Sequence, residues 1–163
     1  MARVYLSIGS NIQREQHIRA GVQALLRHYG ELQLSSVYES AAVGFEGENF
    51  YNLVAAIDTD ETVQQVAQVL RQIEDAQGRT REGPRFSSRT LDIDILLYDD
   101  LVLNEGKLVL PRDEINKNAF VLWPLAEIAA NLRHPILHKS YAELWAAFDK
   151  DSQPLWPVPF EFY

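Results

Sequence analysis

Cysteine is absent from the 163 residues, which removes disulfides, thiolate metal sites and a thiol nucleophile at once. No Asn-x-Ser/Thr sequon occurs, and the opening Met-Ala-Arg-Val-Tyr-Leu-Ser-Ile-Gly has no signal peptide's apolar stretch. Apolar runs stay far short of a bilayer span, so a cytoplasmic location and no membrane partner are the expectations. Positive charge is scarce: 15 Lys and Arg face 23 Asp and Glu, for a net charge of −8. Such a body repels a phosphodiester backbone, which argues against nucleic acid as a partner. Two nucleotide-binding signatures are missing as well. There is no Gly-x₄-Gly-Lys-Ser/Thr loop, and no kinase Gly-rich loop or His-Arg-Asp triplet.

What remains is a chain with ample apolar material. Hydrophobic residues make up 47%, including seven Phe, seven Tyr and three Trp, enough for one core in a single domain over 1–163. Val4–Ile8 reads as a buried strand ended by Gly9-Ser10-Asn11, with Asn11 as a helix cap. Ile18, Val22, Leu25 and Tyr29 recur at helical spacing, and Gly30 stops that helix. Residues 32–40 alternate as a half-buried strand and 51–57 form another. Asp60 precedes a second amphipathic helix carrying Val63, Val66, Ala67, Leu70 and Ile73. After a loop over 78–88 comes a strand over 91–98, then a hairpin through Asn104-Glu105-Gly106.

Farther on, Pro124 opens a short helix over 125–130. Ser140-Tyr-Ala-Glu143 is a capping box before the last helix, and the Pro-rich tail is extended. His134 and His138 flank Pro135 and read as loop residues rather than a two-His metal site. The order predicts an α+β, ferredoxin-like βαββαβ core on a mainly antiparallel sheet, with an added hairpin and C-terminal helices.

Chemistry concentrates at residues 89–97, Arg-Thr-Leu-Asp-Ile-Asp-Ile-Leu-Leu. On a strand, Leu91, Ile93, Ile95 and Leu97 point one way while Asp92 and Asp94 share the other face, their Cα atoms roughly 6.5–7 Å apart. Two carboxylates so placed repel unless solvated or bridged, and Mg²⁺ takes one or two carboxylates plus phosphate oxygens and water. Alone, Asp-x-Asp also describes a wet acidic strand face. The preceding stretch separates the two readings. Arg71, Arg79, Arg81, Arg85 and Arg89 bring five of the fifteen cations into nineteen residues, and guanidinium groups beside a carboxylate pair suit a metal–polyphosphate complex.

The same stretch, with Gly78-Arg79 before it and Ile8-Gly9-Ser10-Asn11 and Trp123-Pro124-Leu125 at its flanks, resembles the 6-hydroxymethyl-7,8-dihydropterin pyrophosphokinases nearly end to end. The resemblance implies diphosphate transfer from ATP to the pterin hydroxymethyl group in folate biosynthesis, by a monomer. It implies two Mg²⁺ ions held by Asp92 and Asp94, with Arg79 and Arg89 as catalytic cations. ATP contacts would come from Glu74, Arg81, Arg89, Ile95 and Arg112. The pterin would meet Val43, Gly44, Asn52, Phe86 and Phe120, stacked between aromatic faces with its edge bonded by Asn52.

The chain departs from the family pattern mostly on the nucleotide side. Arg112 stands where His is usual, Asn118 and Ala119 precede Phe120 where Arg is frequent, and Glu82 replaces a loop Lys. Phe86 stands for Trp, and Phe50 for Tyr. These departures suggest a competing reading, a divergent paralogue that binds pterin with weak or altered transfer. A regulatory ferredoxin-like module is a third, but it gives no reason for the acid pair beside the arginines.

Overall fold

The computed structural model describes residues 1–41, 48–78 and 90–162. Its core is the ferredoxin-like arrangement that the element order predicts. Strand β1 (Ala2–Ser10) leads through helix α1 (Arg14–Tyr29) to short strands β2 (Gln33–Leu34) and β3 (Val37–Ser40), then β4 (Phe50–Thr59). Helix α2 (Val63–Ala76) and strand β5 (Asp92–Tyr98) complete it. The sheet runs β5-β1-β4-β3-β8, the last being Leu155–Val158, with β2 also on β4, and its pairings are antiparallel. Strand β1 is therefore central, bonded on both sides. A separate hairpin, β6 (Leu103–Glu105) and β7 (Leu108–Leu110), follows β5.

Alternation along the strands sorts the apolar side chains into two layers. Val4, Leu6 and Ile8 of β1, Leu53, Ala55 and Ile57 of β4, and Ile93 and Ile95 of β5 pack under α1 and α2. Tyr5, Val54, Ala56, Leu96 and Leu97 face the opposite way, against α3 (Glu114–Lys117), α4 (Ala119–Ile128) and α5 (Tyr141–Ala147). Leu97 thus does not join Ile93 and Ile95 as alternation predicts. The register against β1 shifts between Tyr5 and Leu6, so β5 holds one extra residue there, a β-bulge that turns both Leu96 and Leu97 to the α4 side.

Local signals fixed several helix ends. Gly30, at φ 88°, closes α1 with its N–H on the Leu26 carbonyl, a conformation that costs a glycine little. Capping boxes start α2 at Thr62 with Gln65 and α5 at Ser140 with Glu143. Asn11, however, does not cap α1: Gln13 takes that position without a side-chain bond, and the Asn11 amide donates to the Glu48 carbonyl. The 32–40 stretch is broken at Ser35-Ser36, where the Ser36 N–H and hydroxyl both donate to Glu127 of α4.

Two further differences concern the C-terminal half. Helix α4 begins five residues before Pro124 and contains it. The Ala119 N–H is met not by a local cap but by Gln153 Oε1 at 2.9 Å, while Gln153 Nε2 donates to the Lys117 carbonyl. The extended tail is also a strand, β8 (Leu155–Val158), which covers the outer edge of β3 and so shields it from further pairing. Beyond it Phe160 meets the Tyr51 ring edge-on at 6.1 Å. Among the described residues no helix is long and apolar enough to cross a membrane.

Leu6 is fully buried on β1 beside the bulge. Leu6→Ala is expected to lower stability by about 2–5 kcal/mol through lost burial and a residual cavity. Urea unfolding would show this as a lower midpoint at unchanged slope.

Candidate functional site

Antiparallel register gathers the polar positions of three strands onto the α4 side of the sheet. Asp92 of β5 lies opposite Gly9 of β1, and Gly9 lies opposite Asn52 of β4. The row continues to Tyr38 of β3 and Pro157 of β8. One row along, Asp94 lies opposite Ser7, and Ser7 opposite Val54. Ile93 and Ile95 point into the α1/α2 layer, so both acids project from the other face, as the alternation requires. Strand spacing sets Asp92 and Asn52 about 10 Å apart, with glycine between them.

The acid pair sits among further charges. Arg112 follows β7, and its backbone N–H donates to the Leu96 carbonyl at the bulge. That tether holds its side chain beside β5, where the guanidinium lies 3.5 Å from Asp94 Oδ1 and 2.9 Å from Glu114 Oε2. Glu74 is a buried helix residue whose carboxylate accepts the Ile93 N–H at 2.9 Å. It ties α2 to the strand between the two acids, on the opposite layer. Glu114 is the member of this cluster that the sequence reading missed. Only its i+2 spacing from Arg112 hinted at it.

Asp94 registers the crowding. Its carboxyl is pushed up from 3.8 to about 7, first by burial, then by Asp92, with Glu74 and Glu114 adding to the rise and Arg112 opposing it. Among the described residues, Arg112 is a cation that faces this set. Two hard oxygen donors on one face are what a divalent ion such as Mg²⁺ can take when phosphate and water complete its shell. Among the described residues no cluster of three or more metal-ligating side chains forms.

The other expected contacts divide into three groups. Asn52 and Phe120 share the α4 face. Asn52 is buried, and Phe120 packs half-buried against the α4-side core from the first turn of α4. Ile95 is a core residue of the α1/α2 layer, 4% exposed; in this arrangement its side chain faces away from the acids. Val43, Gly44, Arg79, Arg81, Phe86 and Arg89, together with Glu82, lie outside the described residues. Among the described residues, the Ser10 hydroxyl donates to the Thr90 carbonyl, Asn11 to the Glu48 carbonyl, and the His17 ring meets Gln77 Oε1 at 2.9 Å. The turn after β1 thus touches both Glu48 and Thr90.

Comparison with known proteins gives a consistent result. The sequence profile of the family described as 7,8-dihydro-6-hydroxymethylpterin-pyrophosphokinase (HPPK) matches residues 5–130. A protein of Aquifex aeolicus named 2-amino-4-hydroxy-6-hydroxymethyldihydropteridine pyrophosphokinase is 37% identical over 145 residues, covering 88% of this chain and 90% of its own. The protein of the same name in Bacillus subtilis is 38% identical over 128 residues, 76% of each. Among solved structures, a Plasmodium falciparum HPPK-DHPS aligns with a TM-score of 0.70 over 89% of this chain at 13% identity. At that identity it speaks for the fold alone, and this chain spans 43% of its length.

A carboxyl with a raised folded-state value holds a proton that the unfolded chain has already lost. In metal-free protein, stability is therefore expected to fall as pH rises from about 4 to about 7, the window between the two values. Asp92→Asn should lower the Asp94 midpoint and flatten that slope. Carboxyl-carbon NMR titration with urea unfolding across the window checks both; an Asp94 midpoint near 4 would contradict the crowding.

Proposed function

The chain belongs to the 7,8-dihydro-6-hydroxymethylpterin-pyrophosphokinase family, and on that premise we propose that it moves the β,γ-diphosphate of ATP onto the hydroxymethyl oxygen of 6-hydroxymethyl-7,8-dihydropterin. The new bond joins that oxygen to the β-phosphorus. The bond from the β-phosphorus to the bridging oxygen of the α-phosphate breaks, AMP leaves with its electron pair, and the hydroxyl proton passes to water. The reaction is Mg²⁺-dependent and serves folate biosynthesis.

The observation that carries this reading is the row Asp92–Gly9–Asn52. It puts Asp92 and Asn52 about 10 Å apart on one face of the sheet, which supports a reading with a pterin edge at the Asn52 end and phosphate at the Asp92 end. Bound Mg²⁺ would neutralise phosphate charge and fix the in-line geometry of transfer. Two ions, as the resemblance implies, would share Asp92 and Asp94. Everything else falls to the chain. Asn52 offers a donor and an acceptor to the pterin edge, and Phe120 an apolar face beside it. Arg112, tethered at the bulge, stands close enough to the acid pair to take a phosphate oxygen in place of a carboxylate. Arg79 and Arg89 are assigned charge stabilisation on the transferring group, and Arg81 an ATP contact, on the family pattern.

Two roles shift in this proposal. Glu74 holds the Ile93 backbone, so it shapes the strand that carries the acids at the adenosine end of the site. Ile95 acts through packing. Among the described residues no side chain stands out as a general base, and positioning with charge neutralisation supplies the rate. We further propose that the protein works as a monomer in the cytoplasm. The alternative of a divergent, weakly transferring paralogue draws no support from the relatives, which carry the pyrophosphokinase name at 37–38% identity.

AMP release from ATP and the pterin tests the proposal. Activity is expected to vanish with EDTA and return with Mg²⁺, and Asp92→Ala and Asp94→Ala to lower kcat at least about a hundredfold. Arg112→Ala should raise the KM for MgATP several-fold at an unchanged KM for pterin. Undiminished AMP formation by Asp92→Ala would overturn the metal assignment.

A further inference from the structure

Gly9 calls for an explanation that its backbone does not give. It lies inside β1, paired on both sides, in an extended conformation open to any residue, and a glycine there weakens a strand rather than helping it. What singles the position out is the space above it. A Cβ at residue 9 would stand 2.5 Å from Asn52 Oδ1 and 3.5 Å from its Cγ, well inside contact distance for the first. The Asn52 amide therefore lies over the Gly9 α-carbon, in the volume where a side chain would be.

Nothing else among the described residues holds the amide there. Asn52 is 8% exposed, and no hydrogen bond from its side chain to another described residue fixes the amide, which leaves its donors and acceptor for a ligand. On its other flank stands Tyr38, its partner across β4 and β3, whose ring packs on Trp123 at 4.7 Å. The amide thus has an aromatic residue as its cross-strand neighbour on one side and a missing methyl on the other.

We infer that Gly9 is a positioning residue for the pterin: its lack of a Cβ turns the Asn52 amide along the row toward Asp92 and so sets how far the bound heterocycle reaches toward the phosphates. The inference rests on the reading of Asn52 as the pterin contact. A methyl at residue 9 displaces the end of a flexible side chain, not backbone, so the strand is expected to survive while the amide is pushed off its aim.

Four proteins decide it: wild type, Gly9→Ala, Asn52→Ala and the double variant, each measured for melting temperature and for KM and kcat with both substrates. Gly9→Ala is expected to raise the pterin KM about tenfold, the equivalent of one hydrogen-bonded contact, with the MgATP KM within about twofold. In the Asn52→Ala background the same substitution should add nothing, because the group it displaces is gone. A Gly9→Ala pterin KM within about twofold of wild type, or a loss that adds in full to that of Asn52→Ala, overturns the inference while leaving Asn52 as the contact. A flat pterin KM for Asn52→Ala instead removes the assignment of Asn52, and the inference with it. Should Gly9→Ala fold poorly, recovery of its melting temperature in the double variant supports the clash; no recovery means the glycine serves the strand and overturns it.

Discussion

Pairing of one central strand with two neighbours is the constraint on which the site depends. Because β1 is bonded antiparallel to both β5 and β4, residues 9, 52 and 92 must stand in a single row. Cross-strand spacing then fixes the distance between the acid end and the amide end without help from loops. A one-residue slip in either pairing would turn Asp92 or Asn52 into the α1/α2 core. The apolar alternation of Val4, Leu6 and Ile8 against Leu53, Ala55 and Ile57 forbids that slip, since it would bring those side chains to the polar face. Core packing and site geometry are the same constraint seen from two faces of one sheet.

The bulge at Leu96 adds a second element. By inserting a residue it turns Leu96 and Leu97 together toward α4 and presents the Leu96 carbonyl to the Arg112 N–H. The cation opposite Asp94 is therefore placed by backbone geometry, which survives changes in side-chain conformation. Bulges near functional sites re-aim what lies beside them, and here the re-aimed groups are a pair of core leucines and an arginine. Burial and the neighbouring Asp92 push the Asp94 carboxyl up, with Arg112 opposing the rise.

Much of the remaining structure serves to hold α4 and the β3 edge still. Glu127 takes three donors from Ser36 and Tyr38, the Tyr38, Trp123 and Trp145 rings stack in series, and Gln153 fastens the first turn of α4 from thirty-four residues away. Phe120 rides on that turn, so Gln153 links the C-terminal segment to the position of Phe120.

The residues themselves determined the alternation that puts Asp92 and Asp94 on one face, the helix periods, Gly30 as a stop and the two capping boxes, because each is written within a few neighbouring positions. Local pattern likewise carried the ferredoxin-like order of elements. Only the folded chain decided that Leu97 leaves the face of Ile93, that Asn11 bonds Glu48 instead of capping α1, that α4 starts at Ala119 on a cap from Gln153, and that Glu114 joins the acid cluster. It also decided that Gly9 lies beneath Asn52. These depend on strand register and on hydrogen bonds between residues distant in sequence, which periodicity cannot encode: spacing tells which way a side chain points, and tertiary pairing tells what it meets.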